Sequence, residues 1–151
     1  MPRLLIVAYG NPLRSDDGVA WRAADALKDK FPASEVEILQ MHQLTPELAE
    51  SLNCVAAVIF VDAAEGVGPP GQLHCEELLE LAGEARFSHQ LSASAVVALA
   101  GQLYSARPRA FSVTLTGESF DHGEALSPAV VAALPALVAR IEALVQELLS
   151  Q

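Results

Sequence analysis

The chain has 151 residues and a formal charge of −10, from 9 Lys and Arg against 19 Asp and Glu. Apolar residues make up 52% and charged residues 19%, the mix of a folded domain that buries a core without disulfide or metal staples, which excludes a disordered chain. The acid excess and the lack of a basic stripe argue against a nucleic-acid partner, and no apolar run is expected to reach membrane-spanning length.

Leu4 to Ala8 is a continuous apolar run, as expected of a first strand covered on both faces rather than of a signal peptide. "GNPLRSDDG" follows as a turn, with Gly10, Asn11 and Pro12 as breakers. A helix is expected over roughly Gly18–Lys30, with Trp21, Ala24, Leu27 and Phe31 on one face. "SEVEILQ", Ser34–Gln40, alternates like a strand. "LTPELAESL" predicts a short helix with Thr45 as N-cap and Pro46 at its first position. The strongest strand runs from Val55 to Val61, with Asp62 at its carboxyl end.

Beyond it, "GPPGQLHCEEL" predicts a turn, a short strand near Gln72–Cys75 and a brief helix. "FSHQLSASAVVALAGQLY" reads as a helix capped by Ser88, with Leu91, Ala95, Leu99 and Leu103 as its apolar stripe. "RAFSVTLTG" is a further strand. A long closing helix begins at the cap Ser127 with Pro128 in its first turn. Val130, Leu134, Leu137, Ile141, Leu144 and Leu148 form its buried stripe, and Pro135 is expected to bend it or to mark a late start. Strands alternating with helices predict one α/β domain over residues 1–151: a three-layer sandwich with a mostly parallel, twisted five-stranded sheet between helices. Cys54 and Cys75 have no C-x-x-C spacing and read as a pair of buried thiols in a reducing cytoplasm.

In such sheets, sites form outside the carboxyl ends of the strands, near a reversal of strand order. Asp17 follows the first strand, Asp62 ends the central one and His89 opens the third helix, so the three should converge on one sheet edge. Two carboxylates and an imidazole suit a divalent metal with open positions. Each also has a plain reading. Asp16 is a natural cap for the first helix, Asp17 a first-turn acid, Asp62 a turn cap and His89 a polar residue beside its own cap. His42 lies in a loop on the same edge and is a secondary candidate. His74 reads as strand core or surface, and His122 as loop surface. The sequence holds no G-x-G-x-x-G after the first strand, no G-K-[ST], no G-x-S-x-G elbow and no H-E-x-x-H helix. No Ser or Cys stands at an informative spacing from a His.

"IVAYGNPLRSDDGVAW", "VIFVDAAEG", "FSHQLS" and "TGESFDHGEALSPAV" together resemble the hydrogenase maturation proteases, in order and over nearly the whole chain. The most specific element is the turn G-N-x-L-x-x-D-[DE]-G, matched by Gly10, Asn11, Leu13, Asp16, Asp17 and Gly18. The resemblance implies an aspartic-type endopeptidase that trims the C-terminus of the large-subunit precursor of a nickel–iron hydrogenase. It implies that Asp17, Asp62 and His89 are the metal ligands and catalytic residues, with Asp16 left to cap. It implies no permanent cofactor, only nickel carried by the substrate, with zinc or cadmium able to occupy the site. A monomer is expected. Where many members carry a D-G-G-T-like loop, this chain has "LQMHQLTPEL", Leu39–Leu48, which bears on substrate choice. Two other classes stay open: a maturation chaperone that binds metal without cutting, and a small-molecule hydrolase or phosphorylase on a similar scaffold. An open acidic groove favours the protease over the hydrolase.

Overall fold

A computed structural model describes residues 2–66, 68–79 and 91–151. Strand β1 (Leu4–Tyr9) is followed by a 3-10 turn, Ser15–Gly18, and helix α1 (Val19–Leu27). Strand β2 (Val36–Met41), helix α2 (Leu48–Leu52) and strand β3 (Ala57–Ala64) come next. Strand β4 (Leu73–Leu78), helix α3 (Ala93–Tyr104), strand β5 (Arg109–Thr116) and helix α4 (Pro128–Leu149) complete the order. The sheet runs β2-β1-β3-β5-β4, parallel except for β4 against β5. The expected mostly parallel five-stranded sheet between helices is what forms.

The central strands are apolar on both faces because both are covered. Ile6, Ala8, Ile59 and Val61 pack with α1 and α4, while Leu5, Val7, Val58 and Phe60 pack with α2 and α3. Alternation along a strand does the sorting. The chain leaves β1 toward β2 and then returns across β1 to β3, so strand order reverses between β1 and β3. Their carboxyl ends open the crevice where such folds bind ligands.

Several local expectations need correction. Thr45 does not cap α2: the helix begins after Glu47 with no side-chain cap, and the Thr45 carbonyl accepts from Leu48 N–H at 3.1 Å in a preceding turn. The brief helix after Cys75 is replaced by β4, which continues to Leu78 because β5 supplies an antiparallel ladder. Helix α3 begins after Ser92, whose hydroxyl accepts from Ala95 N–H at 3.1 Å; Ser88 lies outside the described residues. Leu103 is 61% exposed, since α3 turns the small Ala93, Val96 and Ala100 inward instead. Pro135 lies inside α4, which starts at Pro128, so no late start occurs. Against expectation, α4 is long and apolar enough to cross a membrane, with 22 residues and mean hydropathy 1.8. Val130, Leu137, Ile141, Leu144, Val145 and Leu148 are nevertheless buried in the core, while Val131 and several alanines on the opposite face are exposed.

Candidate functional site

The turn after β1 places two adjacent acids in different surroundings. Asp16 is wholly buried. Its carboxylate accepts from Glu118 N–H at 2.8 Å, Ser119 N–H at 2.9 Å, Ser127 N–H at 2.7 Å and the Ser127 hydroxyl at 2.7 Å. Burial pushes this carboxyl up, but the four donors together outweigh it and hold the group below the usual carboxylate range. The reading of Asp16 as a cap for the first helix is therefore wrong. Neither the 3-10 turn nor α1 has a side-chain cap, and the Asp16 oxygens reach across to the segment between β5 and α4. Ser127 likewise gives its hydroxyl to Asp16 rather than capping α4.

Asp17 points the other way and lines a cleft of about 260 Å³. One of its oxygens accepts from Asn11 N–H at 2.7 Å, and its own N–H donates to the Arg14 carbonyl at 3.1 Å. Gly10 makes this approach possible. It has φ +144°, and a Cβ there would lie 2.1 Å from the Asp17 carbonyl oxygen. No side chain could occupy that space.

Asp62 lies near the carboxyl end of β3, on the face that Val58 and Phe60 share, and lines the same cleft. Register continues the pairing of Ala8 with Val61, which puts Tyr9 beside it. The Tyr9 hydroxyl donates to the Asp62 carboxylate. Burial pushes Asp62 up to about 6; the Tyr9 hydrogen bond opposes the rise and the charge of Asp17 adds to it. Burial and the same two acids push the Tyr9 hydroxyl far up, so it stays a donor. The two predicted acids thus meet at the switch point and feel each other.

His42 lines the cleft as well, exposed, with its ring edge-on to Trp21 at 5.5 Å between centroids. Trp21 is held by its indole N–H on the Met41 carbonyl at 3.1 Å. His74 and His122 are exposed and line neither this cleft nor one another. His89, the third expected ligand, lies outside the described residues, and among the described residues no group of three His, Cys, Asp or Glu side chains could hold a metal. Two carboxylates fit a divalent ion only in part; a third donor has to come from elsewhere. None of the described residues lining the cleft is Ser or Cys. Sequence reading missed Tyr9, Arg14 and Phe120, which also line it. Tyr9 had a signal: it is the last residue of β1, one place before the turn and level with Asp62.

This is the fold of the hydrogenase maturation peptidases, and the resemblance carried by the motifs extends to the whole architecture. Among solved structures, the chain is similar to the hydrogenase maturating endopeptidase HybD from E. coli, with 24% identity and a TM-score of 0.82 over 96% of this chain and 93% of that one. It is similar to the hydrogenase 2 maturation peptidase of a Thaumarchaeota archaeon, with 26% identity and a TM-score of 0.69 over 94% and 97%. The nickel–iron hydrogenase maturation protease HybD from Thermococcus kodakarensis matches with 24% identity and a TM-score of 0.71 over 95% and 99%. No protein-family model and no curated protein sequence matches the chain.

Proposed function

We propose that this protein is an endopeptidase that removes the C-terminal extension of a nickel-loaded large-subunit precursor of a nickel–iron hydrogenase, acting in the cytoplasm. The observation that carries the reading is the convergence of Asp17 and Asp62 on one open cleft at the β1/β3 switch point, in the fold of the maturation peptidases. Asp17, Asp62 and His89 are the proposed ligands for the nickel that the precursor brings. Nickel held beside the scissile peptide would polarise its carbonyl and lower the pKa of bound water.

The protein's own groups serve that arrangement. Asn11 N–H holds one oxygen of Asp17, and Tyr9 holds Asp62, which leaves each carboxylate an oxygen without a partner among the described residues. With both ionised, a cation between them relieves their mutual repulsion. An empty precursor brings no such cation, which gives a checkpoint against cutting before nickel insertion. The cleft is rimmed by exposed Arg14, His42, Gln43 and Glu65, so it can admit a chain segment rather than enclose a small molecule.

The test is incubation with nickel-loaded and nickel-free precursor, read by mass spectrometry. Loss of the tail from the loaded form alone is the expected result, insensitive to serine- and cysteine-protease inhibitors. Equal cutting of both forms would overturn the checkpoint, and a tail that stays attached would indicate a chaperone. In calorimetry the His89→Ala variant should lose single-site zinc binding; unchanged affinity would remove His89 from the ligand set.

A further inference from the structure

A second depression, of about 390 Å³, adjoins the cleft. Arg14, Glu65 and Phe120 line both, so the two adjoin at these residues as the two parts of a groove. Both parts are acidic: Asp17, Asp62 and Glu65 line the cleft, and Glu65, Glu118 and Asp121 line the second depression. Arg14 is the one Lys or Arg among the described lining residues.

The base of Arg14 is rigid. Its N–H donates to the Asn11 carbonyl at 3.0 Å, its carbonyl accepts from Asp17 N–H, and it bridges to Gly123. Its head is free. Among the described residues the guanidinium makes no ion pair or hydrogen bond, although three acids line the same depression. Arg3, Arg22, Arg109, Lys28 and Lys30 have partners; Arg140 on α4 has none among the described residues either, but it lines neither depression. A guanidinium offers a planar fork of donors suited to carboxylate or carbonyl oxygens. An oxygen-rich substrate segment entering this groove meets repulsion from every acid and attraction from Arg14.

We propose that Arg14 is the substrate-anchoring residue of the groove. It binds an oxygen acceptor, an acidic side chain or a main-chain carbonyl, on the substrate segment that crosses from the cleft into the second depression. The inference rests on the endopeptidase reading and names the group that would set its substrate alignment.

The test compares the parent, Arg14→Gln and Arg14→Lys on the nickel-loaded precursor, with affinity for the precursor measured separately by calorimetry. Arg14→Gln should raise KM and Kd at least tenfold, with the loss falling on KM rather than kcat, while Arg14→Lys recovers part of it. Changing the acidic residues flanking the cleavage point of the precursor to their amides distinguishes the two sources. If the parent then weakens to the level of Arg14→Gln, the acceptor is a side chain; if the parent keeps its advantage, the acceptor is main chain. Arg14→Gln within twofold of the parent in both KM and Kd overturns the proposal. A parent that binds the precursor without cutting it defeats the endopeptidase reading, and the Kd comparison still decides the role of Arg14. A parent that neither binds nor cuts defeats both.

Discussion

Asp16 and Asp17 are adjacent in sequence and opposite in task. Asp16 is a buried acceptor for four donors, three of them backbone N–H groups of the β5–α4 segment. Replacing it by Ala leaves those half-buried donors without their protein acceptor. The expected cost is about 1–3 kcal/mol. For a chain of this size that lowers the melting temperature by roughly 2–12 °C. The sign with pH follows from the depressed pKa. The stabilisation is complete above the ordinary aspartate value and is lost as pH falls through the lower folded value. Thermal melts of the parent and of Asp16→Asn should therefore converge as the pH drops below about 4. Melts that stay apart by the same margin at every pH would assign the cost to shape rather than to charge. That the two acids differ in surroundings was expected from the sequence, although the helix cap assigned to Asp16 was not what set them apart. The partner of Asp16 was not legible there, because Glu118, Ser119 and Ser127 lie more than 100 residues away and no local spacing points to them.

Among the elements, strands were easier to read than helix starts. Continuous apolar runs at Leu4–Ala8 and Ala57–Val61 record burial on two faces, a property of the segment itself; the run expected from Val55 begins two residues before the strand does. Caps depend on what else competes for the hydroxyl. Ser92 and Ser127 both precede helices in extended backbone, yet only Ser92 bonds its own helix. Ser127 is taken by Asp16, and "LHCEEL" is taken into the sheet by β5. The difference is measurable by double-mutant cycles. Ser92→Ala should cost about 1 kcal/mol and add independently to Asp16→Ala. Ser127→Ala should couple to Asp16→Ala by about 0.5–3 kcal/mol, since both remove ends of one hydrogen bond. Equal additivity for both serines would mean that the Ser127 hydroxyl contributes nothing through Asp16.

At the scale of the molecule, reversal of strand order between β1 and β3 opens a crevice. The chain lines it with Asp17 and Asp62, and the ionised form of Asp62 is disfavoured by burial and by the charge of Asp17. Asp62 titrates near 6 in the fold, above its ordinary value, so ionising it costs stability as pH rises from about 4 to above 6. Asp62→Asn removes that cost and keeps an acceptor for the Tyr9 hydroxyl. We expect this variant to be more stable than the parent by about 1–2 kcal/mol at pH 7.5, with the gain vanishing below about pH 4. Asp17→Asn relieves the same repulsion and should be at least as stable as the parent, provided its amide is oriented with the oxygen toward Asn11 N–H. Both variants should leave the precursor uncut. Melts at pH 4 and 7.5 beside a processing assay test this directly. A destabilised Asp17→Asn that still cleaves would mean that Asp17 serves the fold, as Asp16 does, and that the site lies elsewhere.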